Sequence, residues 1–166
     1  MGERISTCIC LIHIMTLSSL SRIALVAACI SLASIASQAV AASPWSDNYE
    51  KALARAKAEK KVILLDVTGS TWCPVCKLLE KEVFTTKTFK QYAEEKLVLL
   101  RLDFPDPVID INQKNQWALK YLPKNGNVEL PLIVMIGADG HALGTTSYAP
   151  GGPDPFIASL EKIARK

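Results

Sequence analysis

Two thiols separated by two residues, in Trp72-Cys73-Pro74-Val75-Cys76, are the part of this chain best suited to chemistry. Such a pair fits thiol–disulfide exchange, in which a thiolate attacks a disulfide sulfur and a second thiol resolves the mixed disulfide. A free thiol with a pKa near 8.5 is only about 3% ionised at pH 7, whereas a pKa near 7 leaves about half of it ionised. The start of a helix provides that shift, because its N–H groups are unpaired and its dipole is positive there. Cys73 follows a predicted strand and loop and opens a predicted helix. Pro74 suits the first helical position, where its missing N–H leaves nothing unsatisfied. Cys76 lies three residues on, on the same face and one turn deeper. Cys73 is therefore expected to be the nucleophile and Cys76 the resolving thiol.

Three other uses of the pair are weaker. A zinc site normally needs four ligands, and the only histidine after residue 42 is His141, in a predicted turn. Lys77 follows the pair, where covalent haem attachment requires His. A purely structural disulfide closing so short a loop restricts little chain entropy. Neither a metal nor a cofactor is expected.

The elements that must hold the pair can be read from hydrophobic periodicity. Asp47 with Glu50 forms a helix-start box, followed at helical spacing by Tyr49, Leu53, Ala56 and Lys60. Residues 61–67 (KVILLDV) are a nearly continuous apolar run, as expected of a buried parallel strand. After the Thr68–Thr71 loop, the helix from Cys73 or Pro74 is expected to turn Leu78, Leu79 and Val83 to one side. A short helix over 87–94 and a strand over 97–103 (LVLLRLD) come next. Asp110 is expected to cap a helix carrying Ile111, Trp117, Ala118 and Tyr121. Residues 132–136 and 142–147 flank a turn at 138–141, a hairpin signal. A last helix over 155–164 points Phe156, Leu160 and Ile163 inward. Parallel strands joined by helices and closed by an antiparallel hairpin define an α/β architecture with a central mixed β-sheet flanked by helices.

Composition divides the chain in two. Overall it has 166 residues, a net charge of +3 and 49% hydrophobic residues. That balance lacks the dense basic stripe of a nucleic-acid-binding protein. Residues 1–42 contain 27 apolar residues and only three charged ones, Glu3, Arg4 and Arg22. Arg22, the uncharged run over 23–40 and the small residues Ala39-Val40-Ala41-Ala42 read as an N-terminal export signal, with cleavage after Ala41 or Ala42. Met15 is an alternative start that gives a compact signal. An uncleaved anchor is a rival reading, since residues 23–42 are long enough to span a bilayer. Their Ala and Ser content makes insertion weak. Val26-Ala27-Ala28-Cys29 also resembles a lipoprotein site, but the apolar run continues past Cys29. Every version places residues 43–166 outside the cytoplasm. Of the five cysteines, Cys8, Cys10 and Cys29 lie in the leader, so the exported domain keeps Cys73 and Cys76 alone. A single Cys-x-x-Cys pair there reads as a redox site rather than a disulfide scaffold.

These residues resemble the thioredoxin superfamily over about 46–164. The resemblance rests on the strand ending at Asp66-Val67, the segment Trp72–Lys77, the strand over 97–103 and Leu130-Pro131 before the hairpin. Asp66–Cys73, Asp103-Phe104-Pro105 and Tyr148–Gly152 look most like DsbH-type periplasmic disulfide reductases. The resemblance implies a thioredoxin fold and makes Pro131 a cis-proline that faces the cysteines and docks extended substrate segments. Spacing alone gives only an X-Pro before a strand, where trans is the usual outcome. Trp72 matches the tryptophan flanking the nucleophile, a position that also suits packing.

Two acids are candidates for accepting the proton of Cys76. Many thioredoxins place a buried Asp six residues before the first cysteine. That position is Val67 here, and Asp66 is seven before, with a loop one residue longer. Glu80, four residues after Cys76, matches an acid near the cysteines in the reductase domains of membrane thiol transporters. It falls on the face of Cys76 by helix repeat, and its alternative reading is an exposed charge pairing with Lys77 or Lys81. Strongly oxidising relatives carry His before the second cysteine, where this chain has Val75. With no donor there the thiolate is less stabilised and the dithiol is the better reductant.

The expected function is thus a monomeric protein disulfide reductase. It would act on exported disulfide-containing proteins and be kept reduced by a membrane thiol-electron transporter. An oxidase or isomerase is the alternative enzyme reading, and a thiol-client binding or assembly module the non-enzymatic one.

Overall fold

The computed structural model describes residues 44–108, 115–125 and 127–165. The expected export signal over 1–42, the Asp110 cap and Ile111 lie outside the described residues.

Strands β1 (Trp45–Ser46), β2 (Val62–Thr68), β3 (Leu97–Asp103), β4 (Leu132–Ile136) and β5 (Ala142–Thr146) form one sheet in the order β1-β3-β2-β4-β5. β1 and β2 run parallel to β3, while β4 is antiparallel to both β2 and β5. The two-residue β1 has no signature in the sequence; it exists because it pairs with Leu99 and Leu100 of β3.

β2 is central and covered on both sides, which is why its sequence reads as an apolar run rather than an alternation. Ile63, Leu65 and Val67 pack with Val98, Leu100, Val134 and helix α1 (Tyr49–Glu59). Leu64 faces the other way, toward Leu99, Ile133 and Met135. Helices α2 (Pro74–Leu79), α3 (Lys87–Lys96) and α4 (Pro153–Ala164) cover this second face through Leu79, Phe89, Phe156 and Leu160. Phe89 and Leu160 are fully buried, and burial of each such side chain contributes about 1.5–3 kcal/mol.

Three local expectations are corrected. The cap of α1 is Asn48, whose side chain accepts a 2.9 Å bond from Lys51 N, and Asp47 lies outside the helix. Leu78 is 42% exposed, not inward. Cys76, Leu79 and Val83 form the inward stripe, and Leu78, two residues after Cys76, points about 200° away from it. A π-helical turn over Glu80–Phe84 continues α2 and sends both Val83 and Phe84 into the core. The helix expected after Asp110 is, in its described part, a 3-10 helix over Gln116–Lys120. Ala118 and Tyr121 are buried as expected, and Trp117 stacks on Tyr49 with ring centroids 4.9 Å apart. Among the described residues, no helix is long and apolar enough to cross a membrane.

Candidate active site

The carboxyl end of β2 leads through Gly69–Trp72 into α2, and the cysteines sit at that junction. Cys73 is the N-cap of α2, with extended backbone, and its Sγ accepts a 3.2 Å bond from Cys76 N. Pro74 occupies the first turn. Cys73 and Cys76 are joined as a disulfide with Cα atoms 5.3 Å apart, and both are buried. Val75 is 41% exposed beside them, so the position between the thiols presents only an aliphatic side chain.

The loop ahead of Cys73 is fastened to the end of β3. Asp103 accepts from Ser70 N at 2.9 Å and from Ser70 Oγ at 2.6 Å. Thr71 Oγ1 donates to the Pro105 carbonyl, and Trp72 Nε1 donates to the Phe104 carbonyl at 2.9 Å. Lys77 Nζ reaches back to the Thr71 carbonyl at 2.6 Å. Gly69 is required here because a Cβ would lie 2.6 Å from the Trp72 ring. Trp72 thus closes the loop through its indole while flanking Cys73.

Pro131 is buried, and the Leu130–Pro131 peptide is cis. Leu132 pairs with Val67, so Pro131 comes level with the end of β2, where the cysteine loop begins. Its carbonyl accepts a 2.7 Å bond from Ser147 Oγ.

The two acids are joined by a residue that sequence reasoning missed. Asp66 pairs in register with Arg101 across β2 and β3. Arg101 Nε donates to Asp66 Oδ2 at 2.9 Å, and Nη2 donates to Glu80 Oε2 at 2.6 Å. The Arg101 guanidinium lies 4.1 Å from the centroid of the Trp45 ring, which it covers. Asp66 is 2% exposed, and burial pushes its carboxyl up to about 6 against the pull of Arg101 beside it. Glu80 keeps a side chain 44% exposed and pairs with Arg101 rather than with Lys77 or Lys81. The available signal was one acid and one base standing as the only charges within two otherwise apolar strand interiors.

A cleft of about 350 Å³ brings Cys76, Thr68, Glu80 and Arg101 together with Lys77 and Lys81. A larger cleft of about 470 Å³ lies where β2 and β3 begin, lined by Val62 and Leu97, and includes neither cysteine. The chemistry follows the smaller one. Among the described residues, no three His, Cys, Asp or Glu side chains converge as a metal site.

A family profile described as thioredoxin-like matches residues 44–138. The chain is 28% identical over 126 residues to the disulfide bond reductase DsbH of Chlamydia pneumoniae, covering 72% of each chain. A solved DsbH oxidoreductase is 26% identical with a TM-score of 0.62, over 73% of this chain and 83% of that one. A thioredoxin from Thermus thermophilus shares the fold at 18% identity and a TM-score of 0.53, over 72% of this chain and 85% of that one. With its paired cysteines at the carboxyl end of the central strand, the chain belongs to the thioredoxin-like thiol–disulfide oxidoreductase family.

Proposed function

We propose that the protein is an extracytoplasmic disulfide reductase, exported by its leader and acting on exported proteins with exposed disulfides. The observation that carries this reading is the environment of Cys73. Among the described residues its sulfur takes one hydrogen bond, from the N–H of Cys76, and the neighbouring Val75 supplies neither charge nor donor. Helix-terminal N–H groups activate the thiolate without stabilising it strongly. Each contact withheld from the thiolate lowers the reduction potential and makes the dithiol the better reductant, by about 30 mV for about 1.4 kcal/mol. Similarity to a protein named as a disulfide bond reductase supports the same direction.

The cycle starts from the dithiol. The Cys73 thiolate attacks one sulfur of a client disulfide docked along Pro131 and Trp72, forming a mixed disulfide and releasing the client's other thiolate. Cys76 then gives up its proton and attacks Cys73 Sγ. The second client thiolate leaves, and the Cys73–Cys76 disulfide remains. A membrane thiol-electron transporter restores the dithiol by supplying two electrons and two protons. Asp66 is assigned as the acceptor for the Cys76 proton: it is buried in β2 two residues before Thr68, which lines the cleft with Cys76, and burial pushes its carboxyl up to about 6, toward a thiol's range.

Replacing Cys76 by Ser tests the reading. The variant is expected to accumulate mixed disulfides through Cys73 with many exported proteins. Capture of a single client, or none, points instead to a dedicated assembly module. Insulin-type disulfide reduction should exceed refolding of a scrambled substrate, the reverse order marking an oxidase or isomerase. A reduction potential near about −120 mV, that of a strong oxidant, overturns the reductive direction.

A further inference from the structure

An arginine grips one carboxylate best when two N–H groups on one edge of its planar fork bind both oxygens. Nε and Nη2 of Arg101 form such an edge, yet they are divided. Nε serves Asp66 Oδ2 and Nη2 serves Glu80 Oε2. The consequence appears on Asp66, whose second oxygen, Oδ1, is buried without a hydrogen-bond partner among the described residues. A buried acceptor left unpaired is costly, and protonating the carboxyl relieves that cost. Glu80 lines the cleft shared with Cys76, and its side chain is 44% exposed.

We propose that Glu80 is a positioning residue: by holding half of the Arg101 fork it denies Asp66 a second bond and keeps Asp66 ready to take up a proton. Arg101 and Glu80 act together, one attracting and one diverting, and neither touches the reacting sulfur in this scheme. The other charge bearing on Asp66 is Asp103 at the end of β3, which also favours the protonated form; Lys77 and Lys81 line the cleft beside Glu80. The guanidinium also lies over the Trp45 ring, 4.1 Å from its centroid, which holds it beside the two acids.

Removing Glu80 has two effects of the same sign. A like charge disappears, and Nη2 becomes available to Asp66 Oδ1. The test is a titration of the Asp66 carboxyl carbon by NMR in the oxidised protein. Glu80→Ala is expected to lower the Asp66 midpoint by about one unit or more. Glu80→Gln, which loses the charge but still accepts from Nη2, should lower it less. Arg101→Met should move it upward. An Asp66 midpoint that is unchanged or higher in Glu80→Ala overturns the proposal, as does a wild-type midpoint in the ordinary carboxylate range. The proton-acceptor role given above to Asp66 matters only for kinetics. If it holds, the acid limb of the reductase pH profile moves down in Glu80→Ala together with the NMR midpoint. If the midpoint moves and the rate profile stays, Glu80 tunes Asp66 as proposed and the acceptor role fails.

Discussion

Replacing Asp66 by Asn should stabilise the protein at neutral pH, although it removes one half of an ion pair. Burial pushes the Asp66 carboxyl up to about 6 in the folded protein, from the ordinary 3.8. Between these pH values the folded state holds a proton that the unfolded chain has already released. Stability therefore falls with rising pH across that window, because the folded state is the one binding more protons. The contribution of Asp66 is fully present below about pH 4, is lost as pH rises through about 6, and changes no further above that. About two units at 1.36 kcal/mol each amount to about 3 kcal/mol. At 2% exposure, solvent screens this charge little. Asn is neutral throughout, so the difference between variant and wild type isolates this group. Other carboxylates cancel, including Glu59, which hydrogen bonds from Arg55 and Lys61 hold down at about 2. Urea unfolding of the oxidised protein at pH 4, 5, 6, 7 and 8 is the assay. The two proteins should differ least at pH 4, and the variant should gain about 3 kcal/mol by pH 7. With an m-value of about 2 kcal/mol/M, that is a shift of about 1.5 M in midpoint. A difference that is flat with pH, or one in which the variant loses ground as pH rises, refutes the reasoning. Either result would mean that the Arg101 bond outweighs the cost of burying the charge.

Two further outcomes concern the loop that presents Cys73. Gly69→Ala forces a Cβ to within 2.6 Å of the Trp72 ring, so the indole must move and its bond to the Phe104 carbonyl must break. A loss of about 1–3 kcal/mol is expected, with a red shift in tryptophan emission; unchanged stability and emission would refute the packing argument. Asp103→Ala removes both acceptors of Ser70. Because the site is exposed, a loss of about 1–2 kcal/mol is expected. Hydrogen exchange at the Ser70 amide should quicken, and an unchanged exchange rate would show that the loop is held without Asp103.

Much of the fold was legible because its signals are local. The apolar runs over β2 and β3 give parallel strands buried on both faces, and the turn between β4 and β5 gives the hairpin. The pattern fails where local and tertiary demands part. Leu78 is as apolar as Leu79, and only the packing of α2 on the sheet decides which of them turns inward. β1 is two residues long and owes its existence to the edge of β3. At the site, the sequence determined the chemistry: two thiols at helical spacing, a proline at the first helical position, and no donor between them. It also supplied both acids, Asp66 and Glu80. Their relationship is tertiary. Thirty-five residues separate Asp66 from Arg101, and only strand register brings them opposite one another. Only the path of α2 into its π-turn brings Glu80 to the same guanidinium. Residue types and short spacings specify which groups can react. Burial and the sharing of one cation between two acids, which set the Asp66 proton, arise only when distant segments pack.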